Sequence, residues 1–313
     1  MQMYKVCKTI CSAHLLLSLF NFFGMIYLIL SVITSTLLVV ILKLFNKFSI
    51  DTFQAIVVNY WVCTFTGGCI EHYFTFSNFT NAASHQWLAL AAVLGIFFIV
   101  LFNLMGWTAQ TLGLTAVSVA NKLSLVIPVS IAFIFFHEKI TPLKVLAILM
   151  ALASVVMVTF QKSDKQHKIS PIYFLLPVIL FLGSGFNDSL VNHAQKNLLT
   201  DVDKAPFVIW IFQIAALLGT LVLIILLLMK KKKWNWKNVL GGICLGIPNY
   251  FSMYYLVKAL SDSGLQSTEI FPINNVAIVI CASFSGIIFF KEKISRLQIA
   301  GIILACISIL LLI

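Results

Sequence analysis

One stretch of this chain occurs twice. Phe135-Phe136-His137-Glu138-Lys139-Ile140-Thr141, followed by an apolar run to Phe160, returns as Phe289-Phe290-Lys291-Glu292-Lys293-Ile294-Ser295, followed by an apolar run to Ile313. The shift of 154 positions also aligns Asn121 with Asn275, Ile148 with Ile302, Ala151 with Ala305 and Ser154 with Ser308. Each copy reads as a helix end, a short charged turn and a helix start. Matches on both sides of the turn indicate duplication of half the molecule. Such a chain must fold as two related units, and the number of elements per copy decides how those units are related.

The elements are membrane spans. Of the 313 residues 61% are hydrophobic and 10% charged, against about 45–50% and about 25% in soluble domains. The apolar residues fall in long runs, many near the roughly 20 that a helix needs to cross a bilayer, and strand alternation is absent. Ten spans are expected, over residues 26–45, 53–73, 86–108, 112–136, 142–160, 171–196, 205–229, 239–260, 265–290 and 296–313. Five spans per copy, an odd number, place the two halves in the membrane in opposite senses. The expected fold is therefore an all-α polytopic membrane protein with ten transmembrane helices as two inverted five-helix repeats. Residues 25–160 form the first repeat, 161–170 a polar linker and 171–313 the second. Residues 1–24 are an extension, either interfacial or ahead of the native start at Met25, because Lys5 and Lys8 precede an apolar patch without a cleavage site.

The net charge of +11 is almost all lysine. It is spread over short loops, which suits lipid headgroups and topology rather than nucleic acid. The seven cysteines and six histidines show neither a disulfide framework nor metal-ligand spacing. With the start of the first span inside, seven basic residues (Lys5, Lys8, Lys139, Lys144, Lys196, Lys204, Lys258) are cytoplasmic. Thirteen lie opposite: Lys43, Lys47, Lys162, Lys165, Lys168, Lys230–Lys233, Lys237, Lys291, Lys293 and Arg296. The positive-inside rule favours the reverse orientation.

Two five-span halves whose fourth and ninth spans end in an acidic residue and Lys-Ile-Thr or Lys-Ile-Ser resemble the EamA-type branch of the drug/metabolite transporter superfamily. The resemblance covers about residues 25–313. His137 departs from the small residue common at that place. The resemblance implies a ten-helix basket with a central cavity, alternating access and both termini usually cytoplasmic, which conflicts with the lysine count. It leaves the substrate open among amino acids, other metabolites, nucleotide-linked sugars and drugs.

Charges inside spans cost about 2.5–3.5 kcal/mol on insertion scales and so mark interior, functional positions. Depth at about 1.5 Å per residue sorts them into two layers. Asp188, Lys258 and Glu269 fall together, near Asn187, Asn192 and His193, as a structural ion-pair cluster, a gate or a proton-coupling group. Lys122 falls on the order of 12 Å from Asp188 in depth, without an acidic partner. Its neighbours are Asn59, Asn103, Trp107 and Gln110, with Asn121, Asn249, Tyr250, Asn274 and Asn275 near the midplane. An unpartnered lysine there suits a substrate carboxylate or phosphate; snorkelling or neutralisation by burial is the structural alternative. Pro128, Pro177, Pro248 and Pro272 lie within spans and free carbonyls toward a cavity or shape the bundle. Gly242 and Gly246 form a small-xxx-small pair suited to close helix packing.

No enzyme signature, nucleotide-binding loop or cofactor motif is present. No catalytic residue, metal site or cofactor is expected. No linker is long enough for a soluble motor, so transport is expected to draw on gradients. The expected function is secondary transport, as an exporter of a small polar or amphipathic metabolite in the plasma or inner membrane, with the cavity between the repeats. The alternatives are a lipophilic-cation drug exporter and a non-transporting intramembrane enzyme or sensor. A monomer suffices for such a cavity, and a dimer is compatible with it.

Overall fold

In the structure, a computed structural model, the described residues are 2–73, 85–127, 142–159, 173, 175–200, 202–262 and 267–311. Every regular element among them is a helix. They run α1 (Gln2–Lys47), α2 (Thr52–Ile70), α3 (Trp87–Leu112), α4 (Leu114–Leu123), α5 (Pro142–Thr159), α6 (Leu175–Asn197), α7 (Lys204–Leu228), α8 (Trp236–Asp262), α9 (Ser267–Phe290) and α10 (Arg296–Leu311). The first copy of the repeated turn, Pro128 and the 161–170 linker lie outside the described residues.

Among the described residues, five helices are long and apolar enough to cross a membrane: Gly24–Lys47, Thr52–Ile70, Trp87–Leu112, Lys204–Leu228 and Ile273–Phe290. Shorter apolar helices cover Val145–Val158, Leu175–Val191 and Arg296–Leu311. Backbone polar groups have no water partners in hydrocarbon, so an apolar run in that medium becomes a helix that satisfies its own amides. Residues 2–23 continue α1 without a break, as the lack of any loop ahead of the first span suggests.

The helices expose apolar stripes outward. On α3, Val93, Ile96, Val100 and Trp107 are exposed at helical spacing, the pattern of a face turned to lipid chains. Inside, α1, α2, α3, α4 and α8 share one apolar core with Leu42, Phe45, Tyr60, Leu112, Leu123 and Leu245 fully or nearly fully buried. The repeats interlock: α1 and α2 lie along α8, α3 packs on α6 and α7, and α5 pairs with α10.

The pairing of α5 with α10 joins positions that the sequence repeat aligns. Ser154 and Ser308 are both sealed, and the Ser308 hydroxyl donates across to the Ala147 carbonyl at 2.8 Å. In the second copy of the repeated turn, Ser295 caps α10. The Gln298 N–H donates to Ser295 Oγ at 3.2 Å and the Ser295 N–H to Gln298 Oε1 at 2.9 Å, a reciprocal capping box.

α2 and α8 approach each other closely. A Cβ on Gly242 would lie 2.5 Å from Val58 Cβ and 2.6 Å from the Ala55 carbonyl oxygen. One on Gly246 would lie 2.6 Å from Val62 Cβ. The small-xxx-small pair therefore forms the seam itself, where only hydrogen lets the backbones meet.

Candidate functional site: a polar layer between α4 and α6

The site begins at a break. α3 ends at Leu112 and α4 starts at Leu114 with only Gly113 between them, at φ 95°. That left-handed angle favours glycine. The space beside Gly113 is also taken, since a Cβ would lie 2.8 Å from a Glu292 carboxylate oxygen. The Leu114 N–H, at the positive end of α4, donates to Glu292 Oε1 at 3.1 Å. The Lys43 ammonium of α1 pairs with the same oxygen and stands 5.1 Å from the Phe290 ring centroid. Glu292, the acid of the second repeated turn, thus ties α1 and the start of α4 to the end of α9.

From there α4 enters the centre of the bundle. Leu114 to Ala120 are all buried, with α1, α3, α5, α6, α9 and α10 packed around the helix. Asn121 and Lys122 are only partly buried. They are the first residues of α4 to keep accessible surface, although other helices surround it.

Asp188 stands opposite on α6, at the level of Ser124. The lipid-facing stripe of α6 contains Leu175, Val178, Ile179, Leu182 and Phe186, all exposed. Asp188 lies about 220° round the helix from Leu175, on the inner face, yet it is exposed too. Lys122 and Asp188 are electrostatic partners. The Ser124 hydroxyl lies 3.1 Å from Asp188 Oδ2 and 2.6 Å from the Asn121 carbonyl, so it donates to one of them at a time. Ser184 Oγ donates to Asn121 Oδ1 at 2.9 Å. Two parallel helices thus face each other through paired rungs, Asn121 with Ser184 and Lys122 and Ser124 with Asp188.

This arrangement corrects the depth estimate. Lys122 has an acidic partner, and Asp188 takes its countercharge from α4 rather than from Lys258. Counting residues from span ends assumes that all spans begin in one plane. α4 does not: it follows α3 directly, so its start depth is set by packing. Lys258 instead lies 5.9 Å from the Tyr254 ring centroid on its own helix. Glu269 is in the first turn of α9, and its side chain lies outside the described residues.

Among the other expected lining residues, α9 carries Asn275 about 200° round from the exposed Ile273, on the inner face, and Asn274 beside it; both are buried. Asn274 Oδ1 and Asn187 Oδ1 are buried acceptors without a hydrogen-bond partner among the described residues. Three residues are elsewhere. Asn59 is sealed in the α2–α8 seam, where its Oδ1 accepts from Asn249 Nδ2 at 3.1 Å. Asn103 Nδ2 donates to the Ile99 carbonyl of its own helix at 2.7 Å. Trp107 sits on the lipid-facing stripe, 61% exposed. Tyr250 is buried with its ring stacked on Tyr254 at 6.2 Å. Counting depth ignores rotation about the helix axis, and rotation decides which of these side chains reach the centre.

Ser124 and Ser184 were missed because hydroxyls in apolar runs are common. Lys43 and Glu292 were missed as a pair because turn charges usually face water. The junction of two apolar runs at Gly113 with no polar loop was the one available signal.

The comparisons with known proteins agree with this architecture. A model of the EamA-like transporter family matches residues 22–160 and again 173–313, one match for each half of the chain. The chain belongs to the EamA-like transporter family. A protein of Haemophilus influenzae (strain ATCC 51907 / DSM 11121 / KW20 / Rd), described only as uncharacterized, is similar to this EamA-like transporter. It is 27% identical over 278 residues, spanning 88% of this chain and 93% of its own. A solved crystal structure shares the fold at a TM-score of 0.56 and 15% identity, covering 94% of this chain and 96% of its own. The EamA-like chain is accordingly a multi-pass membrane transporter of the drug/metabolite class. Its family consists of transporters rather than enzymes.

Proposed function

We propose that the chain is a gradient-driven exporter in the plasma or inner membrane that moves a small polar or amphipathic metabolite by alternating access. Its substrate site is the layer around Lys122, Asp188, Asn121, Ser124, Ser184 and Asn187, with Asn274 and Asn275 on the facing helix. One observation carries this reading. A lysine and an aspartate stand on the facing sides of α4 and α6, linked through Ser124 and flanked by the Asn121–Ser184 hydrogen bond. Ions placed within a span are costly and persist where they serve transport. A substrate carboxylate or phosphate competes with Asp188 for the charge of Lys122, so binding exchanges one countercharge for another. Asp188, once released, can take up a proton or a substrate ammonium group, which couples binding to a change in charge.

The test is a thermal-unfolding screen of the purified protein against a panel of metabolites and drugs, beside Lys122→Ala. A ligand at 100 times its dissociation constant should stabilise the folded protein by about 2.7 kcal/mol. Stabilisation by anionic or zwitterionic metabolites that disappears in the variant supports the reading. Flux of the same compounds into protein-containing vesicles separates a transporter from a membrane sensor or enzyme, which moves no solute. A lipophilic-cation exporter is favoured by the clustered rings of Tyr250, Phe251, Tyr254 and Tyr255 on α8. In that case cationic amphiphiles alone stabilise the protein, and Lys122→Ala responds as the wild type does.

A further inference from the structure

The end of α1 and the start of α8 leave an apolar groove of about 460 Å³ open to the outside. Its walls include Leu44 and Phe45 from α1, Phe48 just after it, and Leu240 and Cys244 from α8, with Lys237 among the lining residues. Phe48 and Leu240 are 58% and 63% exposed, so the groove faces the bilayer.

Two observations fix its level. Trp234 and Trp236, with ring centroids 6.1 Å apart, are exposed one turn before the groove. Tryptophans of this kind settle at the headgroup boundary. Just beyond them lies the run Lys230 to Lys233. Lys232 is committed to the Asp51 carboxylate, while Lys47, Lys230, Lys231, Lys233 and Lys237 point to the exterior. The slot is thus apolar below the tryptophan level and basic at and above it.

We propose that this groove is a binding site for one anionic phospholipid, with an acyl chain between α1 and α8 and its phosphate at Lys237 and the neighbouring lysines. The charge pattern selects this occupant. A neutral lipid would fill the slot equally well but would gain nothing from the lysines, each of which attracts anionic headgroups near a surface. The occupant would also span the contact between α1 of the first repeat and α8 of the second, beside the Asp51–Lys232 pair.

The test is native mass spectrometry and thermal unfolding of the full chain in nonionic detergent, titrated with phosphatidylglycerol or with phosphatidylcholine of the same chains. Lys237 and Leu240 are exposed, so Lys237→Ala and Leu240→Trp should fold. Phosphatidylglycerol should bind more tightly than phosphatidylcholine. Lys237→Ala should weaken phosphatidylglycerol binding by about fivefold without changing phosphatidylcholine binding, and Leu240→Trp should weaken both. Equal binding of the two lipids, or unchanged phosphatidylglycerol binding in both variants, overturns the proposal. An equal thermal shift from soluble glycerol 3-phosphate also overturns it, since that would make the corner a phosphate site with no use for the groove.

Discussion

The α2–α8 seam and the α4–α6 layer are both contacts between the two repeats, yet they are built from opposite materials. The seam is dry and tight. Gly242 and Gly246 admit the α2 backbone, and its buried amides pair across it, Asn59 with Asn249 and Gln54 with Asn238. The layer holds two opposite charges that influence each other, two serines and two asparagines. A carrier needs both kinds of contact. Helices that must stay together are joined where no substitute for close packing exists. Helices that receive a solute meet through groups that can change partners.

The largest effect should come from closing the seam's free space. Gly242→Val drives a branched side chain into Val58 and the Ala55 carbonyl. The cost should be at the upper end of the roughly 1–3 kcal/mol of overpacking, or beyond it, seen as a large fall in Tm or as loss of folded protein after extraction. A variant that folds and melts like the wild type would remove the contrast. Next, Glu292→Gln takes the charge from the Lys43 pair and weakens the cap on α4. Hydrogen bonds to charged groups contribute about 1.5–3 kcal/mol; both partners are partly exposed to solvent, so about half of that is expected in thermal unfolding. Because the cap fixes the start of α4, ligand-induced stabilisation should fall as well.

The polar layer should respond in the opposite way. Asp188→Asn leaves Lys122 without its countercharge but keeps the Ser124 contact. It should change ligand response and the pH dependence of flux more than it changes Tm. A double-mutant cycle of Lys122→Gln and Asp188→Asn should give a coupling within the roughly 0.5–3 kcal/mol typical of residues in one polar network; zero coupling would separate the two groups.

The smallest effect lies outside the membrane, at the turn between α6 and α7. The Thr200 hydroxyl and N–H donate to Asp203 at 2.5 and 3.1 Å and hold its carboxyl below the usual range, with His85 3.6 Å away. A depressed carboxylate contributes stability above its unfolded pKa and loses it as pH falls through the folded value. Asp203→Asn should therefore melt slightly below the wild type at neutral pH, with the gap closing as pH drops below the ordinary carboxylate range.

How much of this was legible in the chain follows from where the information sits. Ten elements, two halves and a membrane setting are local or periodic properties. Runs such as Leu221 to Leu228 can only be buried in lipid or core, and the duplicated turn repeats at a fixed distance. The seam was legible for the same reason, since two glycines four apart have few uses in a span. The partner of Lys122 was not. It depended on α4 starting at Gly113 inside the bundle and on the rotation of α6 that turns Asp188 inward, while Trp107, at a comparable depth, turned to lipid. Hydropathy fixes which segments enter the membrane. Only packing fixes their axial offset and rotation, and these two coordinates decide which charges meet.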